Sequence, residues 1–276
     1  GVRLVGSEMC IRDRWEGNQP LALGAAESSW ETTGASSLPV QDGWPVPRQL
    51  DTDELASLVE RFREAADRAI RAGYRLIEIH AAHGYLLHSF LSPVTNQRQD
   101  NYGGSLENRM RFPLQVTAAV RDALPSNIPL SVRISTVDGI EGGWQLADSI
   151  AFSRELKRLG VDLVDCSSGG IQAPATAGKG PLAVKRGPGF QVPFAHAVKR
   201  DANIATIAVG LIVDPQQAET ILASNQADLV AIGREALHNP NWPLHARLAL
   251  QADPDYLAWP EQYGWWLKRR PRVSVD

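Results

Sequence analysis

The sequence predicts an α/β fold built around a parallel β-sheet, and three observations support this prediction. Segments with helical spacing of apolar residues alternate along the chain with short apolar runs that indicate buried strands. Glycine and polar residues cluster at the carboxyl ends of those runs, where parallel sheets place their functional loops. The composition, 43% hydrophobic and 21% charged over 276 residues, is that of a globular domain with a sizeable core.

The N-terminal part of the chain is expected to contain little regular structure. Residues 1–14 show no helical or strand period and resemble a translated sequencing adapter, so we expect a non-native segment that includes Cys10. Residues 15–276 are expected to form one partial domain. Residues 15–50 are rich in Gly, Pro, Ser and Trp without a sustained period, which predicts a long ordered loop.

The first helix and strand are predicted directly after that loop. Asp51 and Glu54 form a capping-box pattern at the start of a helix, and Gly73 suits its C-terminal cap. Apolar residues repeat at helical spacing from position 55 to position 70. The run 76–79 then predicts a buried strand that ends at His80.

The same helix–strand unit then repeats. Further strands are predicted to begin after residues 129, 162, 204 and 228, and further helices near 105–124, 146–160, 190–200 and 214–222. Pro113 should kink the helix that contains it. Both a (β/α)₈ barrel and an open doubly wound sheet are compatible with this pattern, and the lack of a G-x-G-x-x-G motif before a helix disfavours a dinucleotide-binding sheet.

Two imidazoles and a phenol follow the first of these strands. His80, His83 and Tyr85 lie where a strand passes into a loop, so their side chains can face a cleft. Imidazole N–H groups can polarise a carbonyl oxygen, and a tyrosine can deliver a proton. Two alternatives are a metal site that includes His88 and a set of satisfied buried histidines. The spacing is weak for a metal site, and we predict none.

Two strand-end glycines and one arginine indicate an anion site. Gly210 and the pair Gly233-Arg234 end two consecutive predicted strands, where backbone N–H groups and a guanidinium can hold a phosphate. Each glycine alone is also compatible with an ordinary turn. Arg133 lies inside an apolar strand, which indicates either a contact with a ligand or a salt bridge across the barrel.

Composition disfavours several classes of partner. The net charge is −3 and no basic stretch interleaved with aromatic residues recurs, so nucleic acid is not an expected partner. No apolar run approaches the length of a membrane span, so no membrane association is expected. Two cysteines cannot form a disulfide framework, which favours a reducing, cytoplasmic location.

The block from His80 to Arg109 resembles the Old Yellow Enzyme family of flavin-dependent ene-reductases. The His-x-x-His form and residues 263–269 are most similar to its bacterial xenobiotic-reductase branch. The resemblance extends from about Trp15 to Arg270. The residues that carry it are His80-Ala81-Ala82-His83-Gly84-Tyr85-Leu86-Leu87-His88-Ser89-Phe90-Leu91-Ser92-Pro93, Asn96, Arg98, Asp100, Tyr102-Gly103-Gly104-Ser105 and Glu107-Asn108-Arg109.

The resemblance implies a (β/α)₈ TIM barrel that binds FMN and reduces the C=C bond of α,β-unsaturated carbonyl compounds with NADPH or NADH. It implies that His80 and His83 bind the carbonyl oxygen of the substrate and that Tyr85 protonates its α-carbon. The resemblance also places Arg133 at the flavin ring, and Gly210, Gly233 and Arg234 at the FMN phosphate. It places Trp242 and Trp266 in the substrate pocket, with Trp266 coming from a neighbouring subunit of a homo-oligomer.

The chain departs from the family pattern before Trp15, where the family has three further barrel strands. We therefore expect strands 4–8 here, an unclosed barrel that folds poorly, and weak or absent FMN binding. Two other functions stay open at this point. One is a phosphate-binding barrel isomerase or aldolase, for which Glu78 is the nearby carboxylate; the other is a non-catalytic barrel fragment.

Overall fold

The computed structural model describes residues 31–171, 180 and 182–270, and the backbone of residues 15–16 and 19–20. The segment predicted to be non-native, residues 1–14, lies outside the described residues. The N-terminal part holds two short ladders. These are the antiparallel pair β1 (Trp15–Glu16) and β2 (Gln19–Pro20) and the parallel pair β3 (Thr33–Gly34) and β4 (Arg48–Gln49).

The main sheet has five parallel strands, and their order in space is their order along the chain. They are β5 (Ile77–Ala81), β6 (Leu130–Ser135), β7 (Leu163–Ser167), β8 (Ala205–Val209) and β9 (Leu229–Ala231). A doubly wound sheet reverses its strand order at a switch point, whereas a barrel continues in one direction. The predicted α/β class is confirmed, and the strand order is that of consecutive barrel strands.

Helices connect these strands and cover the sheet. They are α1 (Thr52–Arg71), α2 (Leu86–Leu91), α3 (Leu106–Ala123), α4 (Leu146–Arg158), α5 (Val192–Ala202), α6 (Pro215–Ala223), α7 (Arg234–His238), α8 (Trp242–Ala249) and α9 (Glu261–Leu267). Helix α1 packs against α3, and α4 packs against both α3 and α5. Among helices in the described part of the chain, none is both long and apolar enough to cross a membrane.

The capping signals place α1 as predicted. The Asp51 carboxylate accepts from the Glu54 backbone N–H at 2.8 Å, and the Glu54 carboxylate accepts from the Asp51 N–H at 3.0 Å. Arg48 binds the same Glu54 carboxylate with both terminal nitrogens. After the helix, Gly73 takes φ +92°, a left-handed conformation in which glycine is favoured. The predicted capping box and C-terminal glycine are both confirmed.

Helix α3 continues through Pro113 as one element instead of ending there. A proline removes the N–H that would bind the Arg109 carbonyl, four residues earlier. The Thr117 hydroxyl donates to the Pro113 carbonyl at 2.8 Å within the same turn. Ser105 caps the start of this helix by accepting from the Asn108 N–H, so the helix begins where the sequence predicts it.

The prediction of a buried run at 76–79 is only partly correct. Strand β5 begins at Ile77, Leu76 is exposed, and Glu78 is exposed as well. Within the described residues, β5 pairs on one side only, with β6. Side chains alternate between the two faces of a strand, so Ile79 and Ala81 are buried on one face of β5 while Glu78 lies on the other.

The core lies between the sheet and its helices. Its largest fully buried side chains include Trp144, Phe90, Phe112 and Phe152. Arg98 attaches the irregular segment 31–50 to this body, since its Nη1 donates to the carbonyls of Ala35 and Leu50 at 3.1 and 2.6 Å. The polar run after α2 thus fixes this irregular segment to the core.

Candidate active site

A cleft of about 960 Å³ opens at the carboxyl ends of the sheet strands. The structure brings six of the sequence-predicted site residues to its wall: His83, Tyr85, Arg133, Gly210, Gly233 and Arg234. These residues come from four different strand ends. The carboxyl edge of a parallel sheet is where ligands bind in α/β folds, so this cleft is the candidate active site.

Strand register places three functional side chains in one row. His80 is paired with Arg133 on β6, and Arg133 is paired with Asp165 on β7. Arg133 Nη1 lies 3.6 Å from Asp165 Oδ2, while Arg133 Nε has no hydrogen-bond partner among the described residues. Burial is the main cause that raises the pKa of Asp165 to about 7; Arg133 opposes this shift and Glu78 adds to it. Arg133 thus has both the salt bridge and the cleft-facing position that the sequence left as alternatives.

The two imidazoles and the phenol form one aromatic cluster. The His80 ring centroid lies 5.1 Å from that of His83 and 5.3 Å from that of Tyr85. Burial, followed by the positive charge of Arg133, lowers the pKa of His80 to about 4 and that of His83 to about 3. Both imidazoles are therefore neutral at physiological pH. His80 is half-buried next to His83 and is not one of the residues that line the cleft.

The turn that carries His83 is held by close backbone packing. His83 and Gly84 both adopt positive φ, +59° and +75°. A Cβ atom added to Gly84 would lie 2.2 Å from the Gly170 carbonyl oxygen, and one added to Gly170 would lie 2.2 Å from the His83 Cα. The His83 N–H also donates to the Ser135 hydroxyl at 2.9 Å. The loops after β5, β6 and β7 therefore fix one another.

A buried pair, His88 and Asp138, supports the same turn through the Gly84 backbone N–H. The Gly84 N–H donates to His88 Nδ1 at 2.8 Å, and His88 Nε2 lies 2.9 Å from Asp138 Oδ1. Asp138 also accepts from the Ser92 hydroxyl and the Trp144 N–H. Burial opposes ionisation of Asp138, but its contacts, with His88 foremost, outweigh burial and hold its pKa below the ordinary value. His88 is thus turned away from His80 and His83.

A second network of polar side chains, which begins at the end of β7, reaches His83. His83 Nε2 lies 2.6 Å from the Ser167 hydroxyl oxygen. The Ser167 and Ser168 hydroxyls point to Gln191 Oε1 at 3.4 and 2.7 Å, and Gln191 Nε2 donates to the Val209 carbonyl at 3.0 Å. Ser167 and Gln191 are each only 4% exposed. This network connects β7, α5 and β8 to the histidine.

The residues predicted to hold an anion also line this cleft. Gly210 follows β8 at φ +121°, and a Cβ there would lie 2.8 Å from the Phe190 ring. Gly233 precedes α7, and a Cβ there would meet nothing within 4 Å. Arg186 and Arg234 add guanidinium groups to the wall. The cleft wall thus combines the neutral imidazole of His83 with the guanidinium groups of Arg133, Arg186 and Arg234.

Three predicted side chains lie elsewhere. Trp242 is buried, and its indole N–H donates to the Val213 carbonyl at 2.7 Å, so it does not line the cleft. Trp266 is 66% exposed and stacks edge-on against Trp265. The Glu78 carboxylate accepts from the Ser131 hydroxyl at 2.9 Å and also lies outside the cleft wall. Within the described ranges, no three His, Cys, Asp or Glu side chains converge as a metal site requires.

Sequence reasoning assigned no role to several polar residues that the structure connects to the site. Ser167 follows a predicted strand directly, and that position was the available signal. Gln191 and Asp138 lie in irregular segments without a recognisable pattern. Their roles depend on which loops meet in space, and loop composition does not encode this.

The fold and the cleft together define a parallel α/β protein with a candidate ligand site at the carboxyl ends of its strands. A sequence profile of the NADH:flavin oxidoreductase / NADH oxidase family matches residues 7–253. The chain belongs to this family. The match begins within the segment 1–14, and the prediction that this segment is non-native stays a prediction.

Similar sequences include enzymes named NADPH dehydrogenase. The protein from Halalkalibacterium halodurans is 44% identical over 222 residues, which are 80% of this chain and 62% of that protein. The protein from Listeria monocytogenes is 42% identical over 233 residues, which are 84% of this chain and 65% of that protein. The chain therefore spans less than two thirds of the length of these relatives.

Similar solved structures carry the same fold. Morphinone reductase superposes with a TM-score of 0.64 at 29% identity, over 80% of this chain and 60% of that chain. An Old Yellow Enzyme homologue from Zymomonas mobilis superposes with a TM-score of 0.64 at 26% identity, over 81% of this chain and 62% of that chain. The predicted resemblance to the Old Yellow Enzyme family is confirmed.

Proposed function

We propose that the whole protein is an FMN-dependent NAD(P)H oxidoreductase that reduces the C=C bond of α,β-unsaturated carbonyl compounds. One observation carries this proposal: His83, Tyr85 and Arg133 line the same cleft as Gly210, Gly233 and Arg234. The first group suits a polarised carbonyl substrate, and the second suits a phosphate-bearing cofactor. The family and the NADPH dehydrogenase relatives support the same reaction class.

The residues present fit FMN on three grounds. The cleft is at the upper end of the volume range of ligand pockets. Gly233 leaves its backbone accessible beside Arg234, as a phosphate requires, and Gly210 lines the same cleft. Arg133 has a buried Nε without a hydrogen-bond partner among the described residues, which an electron-rich ring edge would satisfy. When bound and reduced by NADPH or NADH, FMN would supply the hydride for the β-carbon.

The chain's own residues would stabilise charge and deliver a proton. Neutral His83 and His80 would donate hydrogen bonds to the carbonyl oxygen, where negative charge develops during reduction. Donors already fixed in a buried cluster need little reorganisation, so they stabilise that charge more than water does. Tyr85 would then protonate the α-carbon.

We infer that the five sheet strands are strands 4–8 of an eight-stranded barrel. The sequential parallel order, the single neighbour of β5 and the limited span over the relatives support this inference. Three further predictions accompany it for the full-length protein. They are a small-molecule activated alkene as substrate, a homo-oligomer in which Trp266 reaches a neighbouring cleft, and a cytoplasmic location.

The proposal is tested on the full-length protein, meaning this chain joined to its upstream coding sequence. We expect a bound flavin with its visible absorption bands, and NADPH oxidation that depends on added 2-cyclohexenone. A purified, folded protein without flavin absorption, even after incubation with FMN, would contradict the proposal.

Histidine variants test the carbonyl end of the site separately. His80→Ala and His83→Ala should each weaken binding of p-hydroxybenzaldehyde by about 1–3 kcal/mol, because each removes a donor to the ligand oxygen. FMN should stay bound. Titration monitored by the flavin charge-transfer band measures the affinity, and unchanged affinity in both variants would refute their assigned role. His196→Ala, on α5 and outside the cleft wall, is the matched control.

A further inference from the structure

His83 can donate through only one of its ring nitrogens. Its low pKa keeps the imidazole neutral, and a neutral imidazole carries one N–H and one lone pair. The nitrogen that carries the proton decides whether a carbonyl oxygen in the cleft meets a donor or a repelling lone pair. Nε2 is already engaged by the Ser167 hydroxyl at 2.6 Å.

The donor and acceptor of each hydrogen bond in this network can be assigned by starting from the Val209 carbonyl. The Val209 carbonyl can only accept, so the Gln191 nitrogen 3.0 Å away must be the donor and Gln191 Oε1 must be an acceptor. The Ser168 hydroxyl donates to that oxygen at 2.7 Å. Gln191 Oε1 is therefore satisfied without a second donor.

The single Ser167 proton has two possible acceptors at unequal distances. Gln191 Oε1 lies at 3.4 Å, beyond the usual range of an O–H···O hydrogen bond, and His83 Nε2 lies at 2.6 Å. Donation to Gln191 would leave the proton in a long, weak bond to an oxygen that already has a donor. Donation to His83 places the proton in the short hydrogen bond instead. The Ser167 hydroxyl is buried, so water cannot easily replace this bond.

We propose that Ser167 is a positioning residue that donates to His83 Nε2 and so holds His83 as its Nδ1–H tautomer. Nδ1 is then the nitrogen that donates to a carbonyl or phenolate oxygen in the cleft. The ligand part of this inference rests on the proposed function, whereas the tautomer does not. Ser167 thereby acts on substrate through His83.

Long-range ¹H–¹⁵N NMR of the histidine-labelled full-length protein near neutral pH measures the tautomer directly. We expect His83 Nδ1 to resonate as a protonated nitrogen and Nε2 as an unprotonated acceptor, with the signals assigned by their loss in His83→Asn. A protonated Nε2 in the wild-type protein would overturn the inference.

Serine variants test whether Ser167 causes this state. Ser167→Ala should give a mixture of both tautomers, and Ser167→Thr, which keeps the hydroxyl, should retain Nδ1–H. Ser153→Ala is the matched control, because it removes another fully buried hydroxyl, on α4, outside the cleft wall. An unchanged single tautomer in Ser167→Ala would contradict the role of Ser167. If Ser167→Ala does not fold, the wild-type and Ser167→Thr spectra decide.

Ligand binding separates this inference from the proposed function. In the FMN-loaded protein, Ser167→Ala should weaken p-hydroxybenzaldehyde binding by about threefold to tenfold, as expected for a misoriented donor. Loss of flavin binding in the wild-type protein would contradict the proposed function and leave the tautomer result standing. If the wild-type protein shows the Nδ1–H tautomer but Ser167→Ala binds p-hydroxybenzaldehyde with unchanged affinity, only the proposed effect on substrate is contradicted.

Discussion

At the scale of single residues, Tyr85 links the loop geometry to the chemistry. Its ring contacts that of His80, and its side chain lines the cleft at the start of α2. Tyr85→Phe should slow alkene reduction by about 10²-fold or more, the lower end of the usual contribution of a proton donor. Reduction of the flavin by NADPH should keep its rate, because that step needs no proton from Tyr85. Stopped-flow measurement of the two half-reactions checks this.

Tyr102→Phe is the control for this prediction. Tyr102 donates to Gln115 at 3.3 Å and lies outside the cleft wall, so its loss removes a phenol without touching the site. An equal loss of rate in both half-reactions of Tyr85→Phe would count against a proton-donor role.

Asp165 should give the protein an unusual pH dependence. Its pKa is raised to about 7 by burial, from an ordinary value of 3.8. Between these two values the folded state keeps a proton that the unfolded chain has released, so the stability contributed by this group falls as the pH rises. Above about pH 7 both states are ionised and the contribution is constant.

Asp165→Asn tests this directly, because an amide does not ionise. Its stability relative to the wild type should rise from pH 4 to pH 7 and then level off, measured as a difference in urea unfolding free energy. Asp42→Asn, which removes an exposed carboxylate, is the matched control. A difference that is flat across this range would mean that Asp165 is ionised throughout.

The sequence indicated side chains that line the cleft, but not their protonation states. His83, Tyr85 and Arg133 could be singled out because chemistry-bearing residues at strand ends are visible in the pattern, and their roles stay predictions. The neutral form of His83 and its partner Ser167 could not, since both depend on burial and on loops that meet only in the fold. Trp242 was predicted from the resemblance, and the indole instead lies buried against the segment before α6.

At the scale of elements, the loops after β5 and β7 depend on glycine contacts. Gly84 and Gly104 both have positive φ, +75° and +78°, but a Cβ on Gly104 would meet nothing within 4 Å. Gly104→Ala should therefore cost about 1–2 kcal/mol of unfolding free energy, from backbone strain alone.

Gly84→Ala should lower the unfolding free energy by clearly more than Gly104→Ala does. It adds the collision with the Gly170 carbonyl to the same strain, and overpacking of this kind adds about 1–3 kcal/mol. Urea unfolding of both variants measures the difference. Equal losses in the two variants would show that the loops separate easily.

Local sequence signals predicted where a helix begins when a capping residue determines its first turn. Helix α6 begins after Asp214, whose carboxylate accepts from the Gln217 N–H, with Pro215 in the first turn, and this agrees with the helix predicted near 214–222. The exposure of Leu76 and Glu78 was missed, because what covers each face of a strand is a property of the fold and not of the strand's sequence.

At the scale of the whole molecule, the free side of β5 should govern behaviour in solution. Within the described residues, this strand bonds only to β6, which leaves backbone N–H and C=O groups available to other chains. We expect the 276-residue chain to aggregate and to bind FMN more weakly than the full-length protein. Light scattering and FMN fluorescence titration compare the two. A monodisperse chain with one tightly bound FMN would contradict this expectation.

The fold class could be predicted because the alternation of helices and strands is a local signal repeated along the chain. The choice between a barrel and a doubly wound sheet could not be made from that alternation. It needed either the resemblance or the spatial order of the strands, since both architectures use the same βα unit.

The reciprocal contact of Gly84 with the Gly170 carbonyl, and of Gly170 with the His83 Cα, restricts how this protein can be recombined with its relatives. A chimera whose crossover falls between these two glycines inherits one loop from each parent, and any side chain or altered turn on one side collides with the other. Crossovers before β5 or after β7 keep the two loops together. Libraries with those junctions should contain more folded members, which makes the segment from 77 to 171 the natural unit of exchange.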